Sequence, residues 1–189
     1  MDKKIKEEIC KAYYNPRSGK EIQKAVRGGC GLYLYSDLCD MMKKKGAVPT
    51  LEWMFLKHLK NVILLQDPKD MNTGHWTSLS LDPKRHAIYF FSSYGGKPDA
   101  EKNEWISPSG RVISRQDVNL FNDGLRDLLK YYHWQIHYNE VPYQIDGDNS
   151  ATCGIWCTAF LNSNLNPTEF YRYSKDNRLT FFDYYLAYF

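Results

Sequence analysis

The stretch that most constrains this chain is residues 144–161, where a polar, glycine-bearing loop gives way to small and apolar residues. From Cys153 onward the composition is typical of a buried helix, and Thr152 is suited to the N-cap position. Cys153 then lies in the first helical turn, where backbone N–H groups and the helix dipole favour a reactive thiolate. Gly154 is expected to leave room for another chain to approach the sulfur. Cys157 lies one turn deeper on the same helical face.

Two other interpretations of Cys153 compete with the catalytic one. A cysteine in an apolar helix is most often an inert buried residue. A zinc site is disfavoured, because Cys153 and Cys157 have no second close pair of Cys or His to complete a tetrahedron. What favours catalysis is the helix-start position after a polar loop, together with a His75-Trp76 pair far upstream that the fold can bring to the thiol.

Four segments carry a resemblance to a known family. The nucleophile segment is residues 149–157, Asn-Ser-Ala-Thr-Cys-Gly-Ile-Trp-Cys. Before it, in this order, stand residues 29–33 (Gly-Cys-Gly-Leu-Tyr), 74–76 (Gly-His-Trp) and 88–95 (Ile-Tyr-Phe-Phe-Ser-Ser-Tyr-Gly). Together they resemble the motifs of the adenovirus-type maturation proteases (adenains), which share a clan with the SUMO-deconjugating cysteine proteases. Similar proteases occur in virophages and polinton-type elements, and this short chain fits that version.

The resemblance implies a role for each motif residue. Cys153 is the expected nucleophile and His75 the general base, while Ser92 stands where family members carry Asp, Glu or Asn to orient the base. A hydroxyl accepts the imidazole N–H but supplies no negative charge. Because the ion pair of a thiol protease exists before the substrate binds, a neutral orienting group suffices. Trp76 is expected to shield that ion pair from water, and Trp76 and Gly154 are expected to contact the substrate.

Two residues compete for the oxyanion site. Counting back from Cys153 without gaps puts Asp146 where the adenovirus enzyme has a Gln, and a carboxylate there opposes the developing negative charge. Gln144 lies two residues earlier and carries the amide donor. A slightly longer loop through Gly147 returns Gln144 to the site. We therefore expect Gln144 and the backbone N–H of Cys153 to form the oxyanion hole.

The sequence requires no cofactor and predicts no metal site. The adenovirus enzyme binds a peptide activator by a disulfide through a cysteine on the strand before its nucleophile. By spacing from Cys153, that position is Gln135 here, which disfavours activation by this route. The formal net charge of +3 permits DNA as a further cofactor or partner without demanding it.

The order of predicted elements indicates an α+β fold: a central mixed β-sheet flanked by helices, with the nucleophile at the N-terminus of a buried helix, as in Ulp1 and adenain-like cysteine proteases. A chain of 189 residues suits one domain over residues 1–189. The turn at residues 82–85 joins two antiparallel strands and brings His75 and Ser92 to one edge of the sheet. Strands are predicted over residues 61–66, 75–81, 86–92 and 134–138, and helices over residues 3–13, 36–45, 50–59, 118–132 and 177–189.

Cysteine usage and the N-terminus bear on location. Five cysteines, an odd number, do not indicate a disulfide framework, so a reducing compartment is expected. The N-terminus has no apolar signal region and no run reaches membrane-spanning length, so we expect a soluble monomer with no membrane partner. The expected locations are the virion and the virus assembly site in the host cell.

The expected function is that of a cysteine endopeptidase that cleaves viral capsid or other structural precursor proteins during virion maturation. The resemblance implies cut sites with glycine just before the scissile bond. One alternative is a deconjugase that removes ubiquitin-like modifiers by cutting after Gly-Gly tails. Another is a non-catalytic binding module of the same fold, which the missing carboxylate at Ser92 keeps open.

Overall fold

The computed structural model describes residues 2–66, 74–98, 115–144 and 150–189. Eight α-helices and five β-strands lie in these ranges. The helices are α1 (Lys3–Tyr14), α2 (Gly19–Ala25), α3 (Tyr35–Lys45), α4 (Ala47–Lys57), α5 (Arg115–Tyr132), α6 (Cys153–Ser163), α7 (Pro167–Asp176) and α8 (Phe181–Tyr188). The strands are β1 (Gly31–Leu34), β2 (Lys60–Gln66), β3 (Gly74–Asp82), β4 (Ala87–Ser92) and β5 (Gln135–Tyr138).

The five described strands form one sheet in the order β1-β2-β3-β4-β5. β1 runs parallel to β2 and β5 runs parallel to β4, whereas β3 is antiparallel to both of its neighbours. The sheet is therefore mixed, and helices cover both of its faces. The predicted α+β class, with a central mixed sheet flanked by helices, is confirmed. The four predicted strands are all present, and β1 is an addition that the sequence analysis missed.

Two hydrophobic cores form on opposite faces of the sheet, because successive strand residues point to opposite sides. Val62 and Phe91 face a core that they share with α6, α7 and α8. Ile63 and Phe90 face a second core, shared with α3, α4 and α5. With both faces covered, every residue of β4 is buried. This burial holds the ends of β3 and β4 in a fixed position.

Helix α6 runs through the middle of the first core. Its residues from Cys153 to Asn162 are all buried, and it packs on β3, β4 and α8. A helix that is apolar on all sides is stable only in such a position. The helix ends at Asn164, which takes the left-handed conformation with φ of 53°. The prediction of a buried cysteine helix packed through the middle of the fold is confirmed.

The boundary of the last predicted helix is wrong. Asn177 is the C-cap of α7, a helix that the sequence analysis did not predict, and α8 begins only at Phe181. The reason is a capping box at the start of α8, in which Thr180 and Asp183 satisfy each other's backbone N–H groups. The same kind of box starts α2, which was also missed.

The first and last described helices pack against each other. The rings of Tyr13 and Phe181 lie 5.4 Å apart, and the Arg17 guanidinium sits 5.6 Å from the ring centre of Tyr185 and 5.8 Å from that of Phe189. These contacts place the segment after α1 between the C-terminal helix and the start of α6. Both ends of the described chain therefore support the helix that carries Cys153.

Three further predictions concern membrane-spanning helices, disulfides and the number of domains. Across the ranges that the structure describes, every helix is too short or too polar to cross a membrane. No disulfide joins the five cysteines, all of which lie in these ranges. The single domain over residues 1–189 stays a prediction.

Candidate active site

His75 and Ser92 lie next to each other where the neighbouring strands β3 and β4 begin and end. His75 is the second residue of β3 and Ser92 is the last residue of β4, with Thr77 directly opposite Ser92 in the ladder. Nε2 of His75 lies 3.1 Å from Oγ of Ser92, which is hydrogen-bonding distance. The two side chains are thus adjacent, as the predicted hairpin requires.

Ser92 is held by hydrogen bonds to both its backbone and its side chain. Its backbone N–H donates to Oδ1 of Asn139 at 3.1 Å, and Nδ2 of Asn139 donates back to the Ser92 carbonyl at 2.6 Å. The backbone N–H of Tyr94 donates to Oγ of Ser92 at 3.1 Å. The oxygen that faces the imidazole is therefore fixed by backbone geometry. For His75 to act as a base through Nδ1, its Nε2 must carry the proton and donate it to this oxygen.

An aromatic ring covers one face of the imidazole. The ring of Tyr94 stacks on His75, with centroids 4.2 Å apart and an angle of 25° between the planes. Stacking of this kind fixes the plane of the imidazole, and the π face of a tyrosine attracts a positive charge on its neighbour. Tyr94 is the seventh residue of the motif at residues 88–95, but the sequence analysis gave it no role.

Burial sets the protonation state of His75. The side chain is only 1% exposed, and burial lowers the pKa of His75 to about 3, because the charged imidazolium loses its hydration. Burial thus opposes the preformed ion pair that the sequence analysis expected. The resting site favours a neutral imidazole, and the orienting hydroxyl of Ser92 is neutral as well.

Cys153 is the first residue of α6 and is buried. The prediction of a first-turn position for this cysteine is confirmed. Thr152 occupies the N-cap position, but its side chain makes no capping hydrogen bond, so the predicted cap is wrong in its chemistry. The reason is the backbone of Thr152, whose φ of −85° and ψ of −6° are helical rather than extended as a side-chain cap requires. Its Oγ1 donates to Oε1 of Gln144, at 3.3 Å.

Trp76 links the start of α6 to the strand that carries His75. Cys153 and Trp76 belong to the same buried cluster. One turn deeper, Sγ of Cys157 donates to the carbonyl of Trp76 at 3.2 Å. The first turn of α6 therefore lies along the start of β3, which brings the candidate nucleophile to the end of the sheet where the candidate base lies. Cys157 itself is fully buried and has a packing role.

Gly154 does not leave open space. A Cβ atom added there would lie 2.9 Å from Cδ1 of Ile22, 3.1 Å from Cβ of Arg17 and 3.3 Å from Cδ1 of Trp76. Side chains of the protein itself therefore lie where a Cβ would point, and the predicted substrate contact of Gly154 stays a prediction. Nε1 of Trp76 donates to the Arg17 carbonyl at 3.0 Å, and the side chain is buried. Its predicted roles, shielding the ion pair from water and contacting the substrate, stay predictions.

Gln144 lies beside the start of α6, with its side-chain amide fully oriented. Its Oε1 accepts hydrogen bonds from the hydroxyls of Ser93 (2.9 Å) and Thr152 (3.3 Å), and its Nε2 donates to the Ser150 carbonyl (2.9 Å). A carbonyl only accepts, so Nε2 must face Ser150. The second N–H of Nε2 bonds to no residue within the described ranges, and it is a donor of the kind an oxyanion needs. Asp146 lies outside the described residues.

The cofactor predictions concern Gln135 and the side chains that could hold a metal ion. Gln135 begins β5, and its side chain is exposed. A glutamine has no thiol, so a disulfide to an activator cannot form at this position. Among the residues described, no three or more His, Cys, Asp or Glu side chains cluster in a way that suits a metal ion. The need for an activator or for DNA stays a prediction.

Comparison with known proteins identifies a relative in sequence. No family model matches the chain. Over 115 residues the chain is 36% identical to uncharacterized protein V9 of Sputnik virophage. The match covers 60% of this chain and 62% of the virophage protein, so the chain spans less than two thirds of that relative's length.

The solved structures with some similarity to this chain include cysteine proteases. The Ulp1 protease domain in complex with the yeast ortholog of SUMO has 14% identity and a TM-score of 0.40, over 97% of this chain and 94% of that one. Ulp1 with its catalytic cysteine oxidized to a sulfenic acid has 11% identity and a TM-score of 0.43, over 100% and 94%. The ASFV protease has 15% identity and a TM-score of 0.42, over 85% and 59%.

Proposed function

We propose that this chain is a cysteine endopeptidase that cleaves capsid or other structural precursor proteins during virion maturation. The observation that carries the proposal is the position of a buried His75 that is hydrogen-bonded to Ser92. It lies at the end of the sheet against which the first turn of α6, with Cys153, packs through Trp76. A nucleophile, a base and a group that orients the base are the parts that thiol catalysis needs. Here β3 carries the proposed base, β4 carries the orienting hydroxyl and α6 carries the proposed nucleophile.

In the proposed reaction, Nδ1 of His75 takes the thiol proton of Cys153 while the sulfur attacks the carbonyl carbon of the scissile bond. The tetrahedral intermediate holds its negative charge on the former carbonyl oxygen, to which the Cys153 backbone N–H and Nε2 of Gln144 donate. When the intermediate collapses, the C–N bond breaks and His75 returns the proton to the leaving amine. Water then hydrolyses the thioester, with His75 again as the base, and the thiol is restored.

The neutral surroundings of His75 fit a transfer of the proton during the attack itself. Ser92 supplies orientation without charge, and burial disfavours a standing imidazolium. The imidazolium therefore exists only while the intermediate does. The stacked ring of Tyr94 stabilises that transient charge with its π face.

Two observations support a viral precursor as the substrate. The sequence relative is a virophage protein, and four segments resemble the motifs of adenovirus-type maturation proteases. Cys153 is 6% exposed, and narrow access of this kind favours cut sites with glycine just before the scissile bond. We place the activity in the virion and at the intracellular assembly site. The chain acts there as a monomer, and the net charge of +3 is compatible with DNA as a further partner.

The test is to co-express the protein with candidate capsid precursors of its virus and to sequence the new termini by mass spectrometry. Cys153→Ala and Cys157→Ala form a matched pair, because each removes one buried thiol from the same helix. The native protein and Cys157→Ala are expected to cleave, and Cys153→Ala is expected to leave the precursor intact. Cleavage by Cys153→Ala would overturn the proposal.

Two further measurements separate the alternative functions. Covalent trapping of Cys153 by ubiquitin-like proteins with a C-terminal electrophile would assign the site to a deconjugase. The exposed Cys10 serves as the reference thiol for an inert binding module. If iodoacetamide modifies Cys153, relative to Cys10, at the same rate in the native protein and in His75→Ala, His75 does not activate the thiol and the enzyme proposal fails.

A further inference from the structure

Ser93 takes no part in the steps above, yet it is fully buried and makes three hydrogen bonds to one segment. Its hydroxyl donates to Oε1 of Gln144 at 2.9 Å. Its carbonyl accepts the backbone N–H groups of Tyr143, at 2.7 Å, and of Gln144, at 2.9 Å. The main chain and the side chain of Gln144 are therefore both attached to the same serine.

Ser92 and Ser93 serve different parts of the site. Successive side chains at the end of a strand point to opposite sides. The hydroxyl of Ser92 accordingly meets the imidazole of His75, whereas that of Ser93 meets the amide of Gln144. One dipeptide at the end of β4 thus contacts both the candidate base and the candidate oxyanion donor.

The bond from Ser93 is the shorter of the two that fix the oxygen of Gln144, the other being the 3.3 Å bond from Thr152. A glutamine side chain has three rotatable bonds and turns readily when it is not held. With Oε1 held, the second N–H of Nε2 keeps one direction. Hydrogen bonds accepted by an amide oxygen also polarise its N–H groups and make them better donors.

We propose that Ser93 is a positioning residue for the oxyanion hole, and that it acts by fixing the amide of Gln144. The inference rests on the cysteine protease function proposed above. The Ser92-Ser93 dipeptide then sets the distance between the base and the oxyanion donor. A shift of the end of β4 would misplace both groups together.

The first test compares Ser93→Ala with Ser78→Ala. Ser78 is an equally buried serine of β3 whose hydroxyl has no hydrogen-bond partner within the described ranges. Removing a whole oxyanion donor costs about a hundred- to a thousandfold in kcat, so loosening one is expected to cost about tenfold. Ser93→Ala should therefore lower kcat about tenfold with little change in KM, and Ser78→Ala should leave both unchanged. An unchanged kcat in Ser93→Ala would overturn the inference.

The second test asks whether Ser93 acts through Gln144. In a Gln144→Ala background, Ser93→Ala is expected to have no further effect on kcat, because the donor that it positions is already gone. Alkylation of Cys153 by iodoacetamide forms no oxyanion and should keep its rate in Ser93→Ala. Additive losses, or a slower alkylation, would show that Ser93 supports the whole site rather than the oxyanion donor.

The third test needs no substrate. In ¹⁵N-labelled protein, the side-chain amide signal of Gln144 is assigned by its loss in Gln144→Ala. It is expected to shift and to exchange faster in Ser93→Ala, but not in Ser78→Ala. An unaltered signal would overturn the role of Ser93 even if the protein proves to be a protease. A shifted signal in a protein whose Cys153 alkylates at the same rate with and without His75 would instead overturn the proposed function.

Discussion

At the scale of single residues, the feature that sets this site apart is the neutral hydroxyl of Ser92 on the imidazole of His75. The hydroxyl orients the ring but adds no charge, so Ser92→Ala is expected to lower kcat by about tenfold or less. Ser92→Asp should keep activity, because the N–H of Tyr94 and the ring N–H both remain to bond the carboxylate. The carboxylate would also raise the pKa of His75 and move the acid limb of the pH–rate profile to higher pH.

Rate profiles of the native protein and the two Ser92 variants check this prediction. His75→Ala is the reference for loss of the base. If Ser92→Ala loses as much activity as His75→Ala, the hydroxyl is essential for catalysis, and the prediction that it only orients the imidazole is wrong.

His75 also makes stability depend on pH. The pKa of His75 is lowered to about 3 in the folded protein, against about 6.5 when unfolded, so only the unfolded chain binds the proton between these values. The stability is complete above about pH 6.5 and is lost as the pH falls toward 3, by at most about 1.4 kcal/mol per pH unit. Urea unfolding at several pH values should show a steeper slope in the native protein than in His75→Gln, and the slope that remains in the variant comes from carboxylates whose pKa is lowered by hydrogen bonds, such as Glu21. The exposed His86 gives the control His86→Gln, which should retain the slope.

The oxyanion site gives another residue-level prediction. Gln144→Ala is expected to lower kcat by about a hundred- to a thousandfold, because an amide donor is lost, while Asp146→Ala should cleave normally. Both variants are compared on the same precursor at equal folded concentration. A crippled Asp146→Ala beside an active Gln144→Ala would reverse the assignment.

At the scale of elements, the contact between α6 and its surroundings is the sensitive one. Gly154→Ala forces a methyl group against Ile22 and Arg17, which is expected to cost about 1–3 kcal/mol of stability. It should also lower kcat, since the crowding falls beside Cys153. Adding Ile22→Val removes the nearest methyl group, so Ile22→Val/Gly154→Ala should recover part of both losses. Urea unfolding and kcat measure them, and a Gly154→Ala protein as stable as the native one would contradict the packing argument.

The sequence indicated the sheet, the buried cysteine helix and the His75–Ser92 contact because each leaves a local pattern. Alternating apolar residues and a short turn predict the β3–β4 hairpin, and the hairpin alone brings the two side chains together. Helices α2 and α7 were missed although capping boxes stand in the sequence, as Ser18 with Glu21 shows. The packing at Gly154 left no such signal, because Arg17 and Ile22 reach it only through tertiary structure.

At the scale of the whole molecule, the two ends of the described chain support the site jointly. Arg17 stacks on Tyr185 and Phe189, and its carbonyl accepts the indole N–H of Trp76. Tyr185→Ala removes one of these rings and is expected to cost about 1–2 kcal/mol of stability. It should also lower kcat, because the loosened Arg17 segment no longer holds Trp76.

The half-exposed Tyr173 of α7 gives the control for this prediction. Tyr173→Ala should change neither the urea midpoint nor kcat. Equal effects of the two substitutions would mean that the C-terminal aromatic cluster does not act through Arg17.

The support that α8 gives to α6 and α1 has a consequence for when the proposed active site can form. During synthesis, His75, Ser92 and Cys153 all leave the ribosome before Phe181–Tyr188 does. A nascent chain therefore carries every proposed catalytic group while the nucleophile helix still lacks one of its packing partners. Because domains fold as units, we expect the thiol to gain its reactivity only once α8 has emerged. The order of translation would then keep the proposed active site inactive until the whole of α8 has been made.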